Sequence, residues 1–190
     1  DRPLLTRPDL IDPQDHNGGI IIVGSHVNKT TRQMEALRQC RCPLEFIEFN
    51  QHLVLQPGGL ADETARVSAL ADQLIGGYTR RDRFDLPGGA GPEEQLRVST
   101  EISDAVSAIV SNLTLRPSFL IAKGGITSSD VGTKALRVYR ASVMGQVLPG
   151  IPVWKTGQES KFPGLPYIIF PGNVGDDQSL RIIVEGLMGV

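Results

Sequence analysis

The sequence predicts an α/β fold, a mostly parallel sheet covered by helices in a single domain, on three observations. Residues 19–23 (GIIIV) and 119–122 (FLIA) are short apolar runs without polar alternation, the pattern of parallel strands covered on both faces. Segments with helical apolar spacing alternate with these runs. Glycine-bearing turns follow the buried runs directly.

Length and composition agree with one domain. The 190 residues amount to about 1.3 average domains. A hydrophobic fraction of 40% and a charged fraction of 21% are close to globular values and exclude intrinsic disorder. Nineteen Lys and Arg against 21 Asp and Glu leave a net charge of -2, so no field draws the chain to nucleic acid or an anionic membrane. No apolar stretch approaches the roughly 18 to 20 residues that span a bilayer. Cys40 and Cys42 lack two further ligands at metal-site spacing, and His16, His26 and His52 are scattered, so no metal site is expected. Reduced thiols and a cytoplasmic location are the corresponding expectations. The sequence opens on Asp1 without a signal pattern, as a cut inside something longer would. Its surface composition is compatible with a homodimer.

Residues 1–18 carry three prolines, four Asp and no periodicity, which suits a linker or an N-terminal arm lying on a neighbour; residues 19–190 form the domain. After the strand at 19–23 and the Gly24-Ser25 turn, Met34 and Leu37 mark a helix with Asn28 or Thr30 as N-cap candidate. Residues 44–49 (LEFIEF) read as the next strand, with a continuation through 52–55. Residues 60–75 place Leu60, Val67, Leu70 and Leu74 on one helical face, closed by Gly76-Gly77. Residues 78–91 read as a mobile loop, and Pro92 opens a long helix that buries Leu96, Ile102, Val106, Ile109 and Val110. A helix capped by Ser128 or Ser129 reaches about Leu136. Short strands at 138–144, 151–154 and 167–170 follow, and a last helix spans about 178–187.

In open parallel sheets, ligands gather beyond the carboxyl ends of the strands. Three turns occupy that place: 24–26 (GSH), 124–130 (GGITSSD) and 171–177 (PGNVGDD). In the second, Gly124 and Gly125 let backbone amides approach an anion, and Thr127, Ser128 and Ser129 add hydroxyl donors. That is phosphate-binding chemistry, although a tight turn with a serine cap has the same letters. In the third, Gly172 and Gly175 flank Asn173, whose amide can position a flat ligand, or the loop serves only to let Asp176 or Asp177 cap the last helix. Ser25 and His26 are turn residues or ligand contacts. Lys123 either meets a phosphate as a point charge or faces solvent. Arg80, Arg81 and Arg83 close over an anion or stay solvated, and Trp154 stacks on a base or packs in the core or at a subunit interface. Neither a Walker lysine loop nor the dinucleotide G-x-G-x-x-G occurs, which disfavours a P-loop ATPase and a nicotinamide-dependent oxidoreductase. No catalytic triad or paired carboxylates stand out, so the catalytic residues are not assigned.

The stretches GIIIVGSHVNKTTRQ, LIAKGGITSSDVGTKAL and GLPYIIFPGNVGDD, in this order, resemble the C-terminal nucleotide-binding domain of the four-carbon acid sugar kinase family, from about Gly18 to the end. The pair GGITS and PGNVGD is the specific part of the likeness. The resemblance implies that ATP, with Mg2+, sits against Ser25, Gly124, Gly125, Thr127, Ser128, Gly172, Asn173 and Gly175. It also implies that a sugar acid binds to a separate N-terminal domain carrying a DDxTG-type motif, which does not occur in this sequence. On that reading the chain is the C-terminal half of such a kinase and is inactive alone. A non-catalytic nucleotide- or anion-binding module of a fusion protein is the alternative. Two departures stand out: residues 74–81 (LIGGYTRR) replace a hydrophobic strand ending in Thr-Ser-Arg, and Phe170-Pro171 stand where many relatives carry a lysine.

Overall fold

Four consecutive β-branched residues make Ile20–Val23 a strand (β1) buried along its whole length, and Leu120–Lys123 (β4) is buried likewise. The computed structural model describes residues 3–25, 27–73, 77–80 and 92–190. In these, β1 and β4 form the centre of a sheet with Glu45–Glu48 (β2), Gly77–Arg80 (β3), Ala141–Leu148 (β5), Ile151–Thr156 (β6) and Pro166–Phe170 (β7). The order is β2-β3-β1-β4-β7-β6-β5. The first five run parallel, while β6 and β5 add an antiparallel hairpin at one edge. The predicted fold class is therefore the observed one.

Successive residues of the central strands feed two cores, as the pleat requires. Ile20, Ile22, Leu120 and Ala122 meet the helices Gly59–Gln73 (α3) and Pro92–Asn112 (α4) through Val67, Ala71, Val106, Ile109 and Val110. Ile21, Val23 and Ile121 meet the opposite layer, the helices Asn28–Leu37 (α2) and Ser179–Met188 (α6), through Leu37, Leu180, Ile183, Val184 and Leu187. The spacing 180, 183, 184, 187 is the helical stripe that buries α6, and Gly189 ends it in the left-handed conformation at φ 78°.

The α2 helix leaves β1 for one face. Gly125–Asp130 (α5) leaves β4 for the other, its continuation Val131–Ala135 packing with α4. Since β1 and β4 are neighbours, their carboxyl ends flank a topological switch point, where the departing chains leave a crevice.

Several expectations are corrected. Residues 51–55 form a 3-10 turn rather than a strand, because the Asn50 side chain accepts the His52 backbone N–H at 3.2 Å. Residues 77–80 form β3 rather than the start of a loop, with pairing from β2 on one side and β1 on the other. Residues 81–91, with Arg81 and Arg83, and residue 26 lie outside the described residues, as does the Arg80 side chain. The edge strand β5 begins at Ala141 rather than 138. Helix α5 starts at Gly125, so Ser128 and Ser129 lie inside it instead of capping it. Val27 occupies the N-cap of α2, and no side chain caps it. Leu96 is 69% exposed, off the stripe that runs through Val98, Ile102, Val106 and Val110. Cys40 and Cys42 are joined in a disulfide rather than reduced, the turn after α2 bringing their Cα atoms to 5.4 Å.

The first residues lie on this same domain. The Leu5 N–H donates to the Gln146 carbonyl on β5 at 2.8 Å. The short helix Arg7–Leu10 (α1) buries Leu10, and Ile11 follows it into the α6 side of the core. The Arg7 guanidinium donates to the Leu187 carbonyl near the end of α6.

Candidate nucleotide site

Three parallel strands ending at the same level bring three turns together. The Gly24 N–H donates to the Lys123 carbonyl at 2.9 Å, and the Gly124 N–H donates to the Phe170 carbonyl at 2.9 Å. Ser25 then sits between the second and third turns. A Cβ on Gly172 would lie 2.7 Å from Ser25 Oγ, and one on Gly124 would lie 3.1 Å from the Ser25 nitrogen. Gly124 also adopts φ 117°, a conformation that L side chains rarely reach. So Gly124 and Gly172 are glycines because the turns touch one another. Gly125 differs, because a Cβ there meets nothing within 4 Å. It is exposed beside the crevice, as are Ile126 and Asn173.

Helix α2 clamps the third turn. Its Lys29 Nζ donates to the Asn173 carbonyl at 3.1 Å, and the Thr30 hydroxyl donates to Ser25 Oγ at 3.0 Å. Gln33, fully buried, donates through Nε2 to the carbonyls of Val174 at 3.2 Å and Asp176 at 2.7 Å. Its Oε1 has no partner among the described residues. Gly175 turns at φ 78°, and a Cβ on it would lie 2.7 Å from Ser179 Cβ. The Asp176 N–H donates to Ser179 Oγ, which in turn donates to the Asp176 carboxylate, both at 2.8 Å. These bonds hold the Asp176 carboxyl below its ordinary range, the Ser179 hydroxyl contributing most.

Lys123 is fully buried rather than facing solvent. Its Nζ donates to the Pro171 carbonyl at 3.3 Å and lies over the Phe170 ring. No carboxylate reaches it among the described residues. Burial first, and the charge of Lys29 second, lower its pKa from 10.5 to about 8. The site is therefore a meeting of three glycine-bearing turns with two ammonium groups on the carbonyls of one of them, a charge that suits an anion.

The predicted residues Ser25, Gly124, Gly125, Gly172, Asn173 and Gly175 are thus brought to one place. Thr127 and Ser128 are buried within α5. The Ser128 hydroxyl donates to the Ala122 carbonyl at 2.7 Å, so it secures the turn rather than offering a free donor. Trp154 is half-buried against the core, away from these turns. Sequence reasoning missed Lys29, Thr30 and Gln33; the one signal was a glutamine beside Met34 in the otherwise apolar stripe of α2. A cleft between residues 8–17 and the β6–β7 connection, lined by Asp9, Asp12, Arg116 and Lys155, lies at the amino edge of the sheet. Parallel sheets do not place their ligands there.

A Mg2+ ion held by this chain does not fit the carboxylates nearest the third turn. Asp176 is engaged by Ser179 and the Gln178 N–H, and Asp177 pairs with Arg32 at 2.9 Å. No group of three His, Cys, Asp or Glu that could hold a metal occurs among the described residues.

Glycine turns at the carboxyl edge of a parallel sheet, with cations beneath them, define a nucleotide-type α/β domain. The chain belongs to the family of nucleotide-binding C-terminal domains, whose model it matches over residues 20–180. Its fold is similar to a domain of unknown function (DUF1537) from Bordetella bronchiseptica, a domain-swapped dimer with bound citrate. The TM-score is 0.68 at 20% identity, over 89% of this chain and 42% of that one. A Haemophilus influenzae protein of the same DUF1537 family is similar at a TM-score of 0.61 and 17% identity, over 92% of this chain and 41% of that one. The chain thus spans well under half the length of these structures. Among curated proteins, none matches the sequence. No helix among the described residues is long and apolar enough to cross a membrane.

Proposed function

We propose that this chain is the ATP-binding C-terminal part of a kinase that phosphorylates a hydroxyl of a four-carbon sugar acid. One observation carries the reading: the turns after β1, β4 and β7 meet around Ser25, with Lys29 and Lys123 held on the carbonyls of Asn173 and Pro171. Phosphoryl transfer asks mainly for positioning and for neutralisation of phosphate charge. Gly125 and the Gly172–Gly175 turn would take the phosphates, Asn173 would orient the nucleotide, and Mg2+ would arrive with ATP as its phosphate-bound ion. The sugar acid and the group that takes its proton would belong to a domain outside residues 1–190, and this chain alone would bind ATP without turning it over. Citrate bound in the Bordetella bronchiseptica structure is a hydroxy acid, as the proposed substrate is, and the domain-swapped dimer there makes a homodimer part of the proposal.

The test is calorimetric titration with ATP plus Mg2+, repeated on Gly125→Val and with NADH as competitor. Saturable binding that Gly125→Val abolishes and NADH does not disturb is expected. Tight NADH binding without ATP binding, or sugar-acid phosphorylation by residues 1–190 alone, would overturn the proposal.

A further inference from the structure

Lys123 and Lys29 present a charge problem that the protein does not solve by itself. Both ammonium groups sit on carbonyls of a single turn, Pro171 and Asn173. Lys123 is fully buried, and buried ammonium groups are normally paired with a carboxylate. None of the elements packed on it provides one among the described residues. From β7 it meets the Phe170 ring, and from β1 the Gly24-Ser25 turn. From α2 the only charge acting on it is Lys29, of like sign. Asp176 and Asp177, the acids of the adjoining turn, are held by Ser179 and Arg32.

We propose that the phosphates of a bound nucleotide supply the counter-charge that Lys123 lacks, so that nucleotide binding is coupled to protonation of this buried amine. The inference rests on the nucleotide reading above and adds a residue and a linkage to it. With its pKa lowered to about 8, the free amine is partly neutral in mildly alkaline solution. A phosphate chain in the crevice favours the ammonium form, so Lys123 takes up a proton from solvent as the nucleotide binds. Affinity consequently falls as the pH rises through and above about 8. Lys123 is a positioning residue, acting on the phosphates through charge from beneath the turns.

The experiment is titration calorimetry of the whole chain at about pH 8, in two buffers of different ionisation enthalpy, with ATP plus Mg2+ and separately with tripolyphosphate. The difference between buffers counts the protons taken up. Expected are uptake of a fraction of one proton with both ligands, and loss of that uptake in Lys123→Met together with affinity weakened about tenfold or more. The melting temperature of free Lys123→Met should equal or exceed that of the unaltered chain, which a merely structural lysine would not allow. Lys155→Met, at the amino edge, serves as the comparator that keeps the uptake. ATP binding without proton uptake, or Lys123→Met binding as tightly as the unaltered chain, overturns the coupling alone. Absence of binding to the unaltered chain overturns the nucleotide reading and the coupling together.

Discussion

Lys123 Nζ lies 3.8 Å from the centroid of the Phe170 ring, and the two residues are direct partners in the β4–β7 ladder. The ring face supplies part of the stabilisation that a carboxylate would ordinarily give a buried ammonium, but only part. Stability should therefore respond to the charge state of this amine. In the unfolded chain it titrates at 10.5, and in the folded chain at about 8. Between these values the unfolded chain holds more protons, so the contribution of Lys123 makes the fold more stable as pH rises across that window. The full span is on the order of 3 kcal/mol. Urea unfolding of the chain and of Lys123→Met from neutral pH to about 10.5 should show the two curves converging. Parallel curves would mean that the amine is not destabilised in the native state.

The glycines of the site should separate into two kinds. Gly125→Val meets open space and should unfold like the unaltered chain while losing ATP. Gly124→Ala and Gly175→Ala force a side chain onto φ 117° and 78° and against Ser25 or Ser179, and should each cost roughly 1–3 kcal/mol. Thermal unfolding beside ATP titration distinguishes the two kinds.

Tyr167, fully buried on β7, donates its hydroxyl to the Ser128 carbonyl at 2.5 Å. Burial holds its pKa well above the ordinary tyrosine value, so it remains a donor at all working pH. Tyr167→Phe leaves that carbonyl without this partner and should cost about 1–2 kcal/mol. Hydrogen exchange of the α5 amides should quicken in this variant more than exchange in α6.

These outcomes bear on what the sequence could disclose. Strands β1, β4 and β7 announce themselves because each is a run of apolar residues covered on both faces, and α3, α4 and α6 because each has one apolar stripe. The glycine turns between them are visible for the same local reasons. Strand β3 was not legible, since GYTR has no pattern of its own and takes its form from ladders on both sides. The burial of Lys123 was equally hidden. It depends on α2 and the 171–177 turn closing over the end of β4, contacts between residues more than forty positions apart. The Cys40–Cys42 bond follows from a local turn that residue types alone do not specify.

Glu185 on α6 is expected to control stability in acid. The Arg41 backbone N–H donates to it at 3.0 Å, the Arg41 guanidinium at 3.2 Å and the Arg181 Nε at 3.0 Å. The Arg41 backbone bond is the largest of these influences, and together they lower the carboxyl pKa from 4.5 to about 2. A depressed carboxyl stabilises the fold above its unfolded pKa and loses that contribution as pH falls from about 4.5 toward 2. Glu185→Gln should be less stable than the unaltered chain at neutral pH, with the gap closing near pH 2. An unchanging gap in acid-unfolding curves would assign the effect to packing.

The bond from the Arg7 guanidinium to the Leu187 carbonyl makes neighbours of the first and last helices. Ends that meet in this way permit circular permutation: a short linker could join them, and new termini could be opened at the β5–β6 turn around Gly150. That turn lies in the antiparallel hairpin and packs on the third turn, since a Cβ on Gly150 would lie 3.1 Å from Val174 Cγ1. A permuted chain would thus present its free ends beside the third turn, where an attached reporter would sense the filling of the crevice.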